Sequence, residues 1–213
     1  MNVATVCFDF DSTLIDRESL DEILARRLGA DEEAAARVRE ITDRGMDGAF
    51  GFRESMERRL AIAKPDRAMV TAFGEEAVAH LTAGMRELIA GLAAEVWIVS
   101  GGLEEALLPV ARHLGVPAER VLGTQVEWGP AGELVGLLRC GPKEEAVGAV
   151  SADWSRPRIA VGDGMSDYAL LEAGCVDHLI AFTQHARRTP VVATGAPEAA
   201  NVSELEYLLR QLI

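Results

Sequence analysis

The chain opens on a largely apolar run, Val3 to Phe8, that stops at two carboxylates one residue apart, Asp9 and Asp11. A short run without alternation predicts a strand buried on both faces. The period then changes. Leu20, Ile23, Leu24 and Leu28 recur at helical spacing, with Asp16 as the expected N-cap and Gly29 as the stop. A second helix is predicted over 31–44, with Val38 and Ile41 inward, and a third from about 50 to 63, ended by Pro65. Asp66 then caps a fourth, with Met69, Val70, Phe73 and Ala77 inward. Four successive helices without a strand do not fit a strictly alternating βαβ chain, so residues 16–80 are expected to form a helical cap inserted after the first strand.

Alternation resumes after residue 80. A helix over 84–92 leads to the buried strand Val96–Val99, which ends in Ser100-Gly101-Gly102. The next helix runs to His113 and should kink at Pro109, with Gly115 as its stop. Glu127–Leu134 reads as a small hairpin, and Lys143 begins another helix. Ile159–Val161 is a third strand, followed by Gly162-Asp163-Gly164-Met165-Ser166-Asp167 and a helix to Ala173. His178–Phe182 is a fourth strand, Val191–Ala193 a fifth, and Ser203–Ile213 a closing amphipathic helix. The expected architecture is α/β: a three-layer parallel sheet (1–15 and 81–213) with a helical cap (16–80) and a small hairpin.

Hydrophobic residues make up 49% of the 213 and aromatics only 5%, so aliphatic side chains must fill the core. The net charge of −13 argues against nucleic acid or an anionic membrane as partner, and requires a local cationic site for any anionic substrate. No stretch of 18 apolar residues and no basic-then-apolar leader appears, which leads us to expect a soluble cytoplasmic protein. Cys7, Cys140 and Cys175 are scattered without zinc spacing and read as reduced thiols.

The candidate chemistry gathers at strand ends, where open α/β sheets bind ligands. Taken singly, each feature has an ordinary explanation. Asp9 and Asp11 fit a solvated turn, Ser100-Gly101-Gly102 a strand–helix turn, and Asp163 and Asp167 an N-cap with a dipole-favoured acid. Lys143 at a helix start opposes the dipole, which suggests another partner for its ammonium. Together these features place four carboxylates, one lysine and a cradle for phosphate oxygens on one rim. Four ionised carboxylates need cations, and an oxygen-only set favours Mg²⁺.

In order and spacing, these motifs resemble those of the haloacid dehalogenase superfamily of phosphatases. Asp9-Phe10-Asp11-Ser12-Thr13 is similar to the first motif, Ser100-Gly101-Gly102 to the second, Lys143 to the third and Gly162–Asp167 to the fourth. The resemblance implies a Rossmann-like core and a Mg²⁺-dependent phosphomonoester hydrolase. Asp9 would be nucleophile and Asp11 general acid and base. Asp9, the Asp11 carbonyl and Asp163 would hold the metal, with Asp167 behind them; Ser100, Gly101 and Lys143 would hold phosphoryl oxygens. The nearest resemblance is to the phosphoserine phosphatases. It implies Glu18 for the substrate amine, Arg59 for its carboxylate, and Met46 and Phe52 as apolar walls. A salt-bridged Arg59 within the cap is the structural alternative. Ser166 and Thr124 depart from the asparagines usual in that family. The expected reaction is O-phospho-L-serine plus water to L-serine and phosphate, in serine biosynthesis, by a monomer or homodimer. The alternatives are a related phosphatase, a phosphotransferase to an alcohol such as homoserine, and a non-catalytic binding protein on the same fold.

Overall fold

The computed structural model describes residues 3–46 and 49–213. Strand β1 (Ala4–Phe8) is buried throughout, Thr5 included, as its largely apolar run predicts. It lies at the centre of a sheet that also contains β2 (Ala94–Leu103), β3 (Val121–Trp128), β4 (Leu134–Arg139), β5 (Arg158–Gly162), β6 (His178–Phe182) and β7 (Glu198–Ala199). The order is β4-β3-β2-β1-β5-β6-β7, parallel except for the β3–β4 hairpin. Two apolar layers follow from the two faces of these strands. Val6, Phe8, Ile98, Val161 and Ile180 point into one; Cys7, Val99, Ala160 and Leu179 point into the other. The hairpin is not a free appendage, because β3 also pairs with β2 and so extends the sheet.

Between β1 and β2 run α1 (Ser19–Leu28), α2 (Glu32–Met46), α3 (Phe52–Ala63), α4 (Arg67–Ala77) and α5 (Met85–Gly91). The chain leaves and re-enters the sheet region side by side: Ile15 and Leu81 form an antiparallel bridge, Asp16 N–H donates to the His80 carbonyl, and Thr82 N–H donates to that of Leu14. Helix α4 is tied to α6 (Glu104–Leu114) by close approach. A Cβ on Gly74 would lie 2.7 Å from the Ala106 carbonyl oxygen and 2.9 Å from Pro109 Cγ. Ion pairs Arg67–Glu105 and Arg112–Glu75, both 2.9 Å, flank the contact. Helix α6 runs through Pro109 without a break. Then come α7 (Lys143–Gly148), α8 (Met165–Glu172), α9 (Thr189–Ala193) and α10 (Val202–Leu212).

Two expectations need correction. Val191–Ala193 is helix rather than strand, because Pro190 sits in the first turn, where its fixed φ and missing N–H suit a helix start; the last strand is Glu198–Ala199. Asp16 does not cap α1. The helix begins at Ser19, whose N–H is taken at 2.7 Å by Asp11 Oδ1 from across the turn.

Candidate active site

β1, β2 and β5 are adjacent and parallel, so the residues at their carboxyl ends converge. After Phe8 the chain makes a wide turn closed by Ile15 N–H on the Phe10 carbonyl. Within it Asp11 is extended and Ser12 is left-handed, with φ of 52°. A serine held there costs free energy that its surroundings must offset. Two bonds oblige it: Ser12 N–H donates to the Arg17 carbonyl, and Ser12 Oγ donates at 2.8 Å to Glu18 Oε1.

Asp9, Asp163 and Asp167 are buried, and each offers a carboxylate oxygen within 4.8 Å of the others. Lys143 is also buried; its Nζ lies 2.7 Å from Asp9 Oδ1 and 2.7 Å from Asp167 Oδ1. Burial alone would depress this ammonium, but Asp167 and Asp9 outweigh it and hold its pKa above the ordinary lysine value. Burial, reinforced by Asp9, raises the Asp167 carboxyl. The Asp167 carboxylate also accepts from Gly164 N–H at 3.1 Å and lies over Gly162, where a Cβ would meet it at 2.2 Å. No larger residue fits at Gly162 without displacing that acid. Asp11, beside the cluster, accepts from Ser19 N–H and from Ser19 Oγ at 3.0 Å. Burial, with Asp9 adding to it, pushes its carboxyl up to about 8 despite those bonds. The shift favours the protonated form of Asp11 near neutral pH.

Three buried carboxylates with only oxygen donors suit a hard divalent cation, and Lys143 together with Arg188, which meets Asp163, still leaves one negative charge in excess when all three are ionised. Ser100 lies at the end of the regular part of β2. Its Oγ accepts from Gly102 N–H at 2.9 Å, leaving its own hydrogen to donate. Phe52 at the start of α3 covers Gly101, where a Cβ would come within 3.1 Å of the ring. Arg59 is buried. Among the described residues its one carboxylate in ion-pair range is the exposed Asp21, at 3.8 Å. Burial lowers the Arg59 pKa. Met46 ends α2, and its side chain lies outside the described residues.

A profile of haloacid dehalogenase-like hydrolases matches residues 6–172. The chain belongs to that family. It is 32% identical over 204 residues to the chloroplastic phosphoserine phosphatase of Arabidopsis thaliana, covering 91% of this chain and 68% of that one. It is 34% identical over 172 residues to rat phosphoserine phosphatase, covering 76% and 74%. A phosphoserine phosphohydrolase-like protein from Francisella tularensis superimposes with a TM-score of 0.88 at 35% identity, over 96% of this chain and 99% of that one. This haloacid dehalogenase-like hydrolase is thus a phosphoserine phosphatase-like phosphoric monoester hydrolase. Among its described residues no helix is long and apolar enough to cross a membrane.

One residue at the rim of this hydrolase site escaped sequence reasoning. Arg188 Nε donates to Asp163 Oδ2 at 2.5 Å, and its Nη2 donates to Glu18 Oε1 at 2.9 Å. The signal was of the kind that singled out Lys143: a cation at a helix start, here the N-cap of α9. Reading 191–193 as strand concealed it. Burial raises both Asp163 and Glu18; Arg188 offsets part of the rise at Asp163, and the Ser12 bond followed by Arg188 offsets part of it at Glu18.

Proposed function

We propose that the chain is a cytoplasmic Mg²⁺-dependent phosphoserine phosphatase, with 1–15 and 81–213 as catalytic core and 16–80 as cap. The observation that carries the substrate is Arg59, a buried guanidinium whose one carboxylate in ion-pair range among the described residues is distant and exposed. A buried cation with so weak a partner suits an incoming carboxylate, and the guanidinium fork binds one bidentately. Glu18 offers the opposite charge to the ammonium, and Phe52 walls the space over Gly101.

In this reading the Asp9 carboxylate attacks phosphorus through Oδ2, since Lys143 and the Phe10 N–H both fall on Oδ1. The bond from phosphorus to the serine oxygen breaks, and Asp11, already protonated, gives its proton to that oxygen. Asp11, now a carboxylate, takes a proton from water as the water oxygen attacks the aspartyl phosphate. Phosphate leaves and Asp9 is restored. Ser100, the Gly101 N–H and Lys143 hold the phosphoryl oxygens as charge shifts. Asp9, Asp163 and the Asp11 carbonyl would hold Mg²⁺, with Asp167 beside them. The ion would neutralise charge on the phosphoryl group.

The test is phosphate release from phosphoserine and from phosphoethanolamine, which lacks the carboxylate, by wild type and Arg59→Ala. Arg59→Ala should lose roughly ten- to a hundredfold in kcat/KM on phosphoserine, while phosphoethanolamine changes little. Arg59→Lys should restore little. An unchanged ratio between the two substrates would remove the carboxylate clamp and with it the phosphoserine assignment.

A further inference from the structure

The β2–β3 ladder breaks where the phosphoryl site lies. Val99 pairs with Leu122 and Leu103 with Thr124, so β2 spends residues 100–102 where β3 spends only Gly123. A bulge of this kind leaves backbone groups without ladder partners, and buried ones must find others. The Gly101 carbonyl finds the Thr124 hydroxyl, with Oγ1 donating at 2.9 Å. The Gly102 N–H finds Ser100 Oγ at 2.9 Å. This carbonyl and this N–H belong to one planar peptide. Both ends of that plane are therefore pinned, one by Thr124 and the other by Ser100. The loop is also confined on each side, because a Cβ on Gly101 would press on Phe52 and one on Gly102 would lie 2.8 Å from Ser19 Oγ.

We propose that Thr124 is a positioning residue for phosphoryl recognition: its hydroxyl orients the 101–102 peptide, and through it the hydroxyl of Ser100. The inference rests on Ser100 and Gly101 meeting the phosphoryl oxygens. If the peptide rotates, Gly102 N–H no longer holds Ser100 Oγ. The serine hydroxyl then turns among its rotamers instead of keeping its hydrogen aimed outward. Thr124 is itself buried, so its hydroxyl is held against the loop rather than turned to solvent.

The test uses p-nitrophenyl phosphate as substrate, inorganic phosphate as competitive inhibitor, and thermal melting as a folding control. Thr124→Val should weaken phosphate inhibition and lower kcat/KM by roughly five- to twentyfold, and Thr124→Ser, which keeps the hydroxyl, should stay within about twofold of wild type. In a Ser100→Ala background the added Thr124→Val should cost less than about twofold, because its route of action is gone. Wild-type behaviour of Thr124→Val, failure of Thr124→Ser to restore it, or a full loss persisting beside Ser100→Ala would each overturn the proposal. Thr124→Ala replaces Thr124→Val in the same comparisons if the valine variant does not fold. If Ser100→Ala alone leaves phosphate inhibition unchanged, the reading of the phosphoryl site has failed. If Ser100→Ala matters and Thr124→Val does not, only this inference has.

Discussion

At Asp9 the two carboxylate oxygens sit in different surroundings, and the proposed covalent route uses that difference. Oδ1 accepts from the Phe10 N–H and from Lys143, both at 2.7 Å; Oδ2 takes neither contact and is the oxygen the proposed route would use for attack. Asp9→Asn preserves the shape and the Phe10 bond but supplies no nucleophilic oxygen. Its phosphate release should fall below detection with the melting temperature little changed. Asp11→Asn should lose ~10²–10⁴-fold, the usual share of a general acid and base. Initial rates of phosphate release check both, and substantial turnover by Asp9→Asn would rule out a covalent route through this residue. Cys7, on the strand just before, is a contrast in chemistry. Burial pushes its thiol up to about 12, so proximity to the cluster does not make it a nucleophile.

Elements were legible where one local signal sufficed. Buried strands announced themselves as apolar runs, and α4 by Asp66, whose side chain does accept from Met69 N–H. The first-motif turn, the glycine bulge within β2 and Lys143 at the start of α7 were also marked by residue type. What stayed hidden depends on partners far apart in sequence. The cap of α1 comes from Asp11, eight residues upstream, and not from the nearer Asp16. Two valines in 191–193 favoured a strand by propensity, against Pro190, whose position argued for a helix. Thr124 stood out only as a departure from a resemblance, since its bond to Gly101 spans 23 residues. A similar long-range stitch joins β5 to the loop before β6. Asp177 accepts from Arg158 N–H at 2.9 Å and from the buried Arg158 guanidinium, and also pairs with Arg156. Burial would raise the Asp177 carboxyl, but the bonds from Arg158 outweigh it and hold it below the ordinary value. The folded pKa is depressed, so this stabilisation is present above the unfolded value of about 3.9 and is lost as pH falls through the folded one. Asp177→Ala should cost roughly 1.5–3 kcal/mol at neutral pH, and the gap to wild type should close on acidification below about pH 4. Denaturant melts of both proteins across that range measure it; a gap independent of pH would mean that charge is not what Asp177 contributes.

For the whole molecule, the charge of −13 and a buried acidic cluster make metal binding a matter of stability as well as chemistry. Mg²⁺ added to chelator-treated protein should raise the melting temperature and restore phosphate release, with about 2.7 kcal/mol gained at a hundredfold excess over Kd. Asp163→Asn should largely abolish the shift. Ca²⁺, larger and looser in its coordination, should restore activity poorly. Full turnover in verified metal-free protein would count against the ion. The place where the chain departs for the helical insert bears on descent as much as on mechanism. Ile15 and Leu81 are already paired in an isolated bridge, so the insert leaves and returns at the same two points whatever the intervening chain becomes. Lengthening that excursion adds little entropic cost, since closure grows only with the logarithm of loop length. Selection can therefore redraw what covers the site while the carboxylates stay in place. The helix of the insert least able to join that drift is α4, because Gly74 admits no side chain against α6. Lineages that exchange one lid for another should break at Lys64–Asp66 rather than at residue 80.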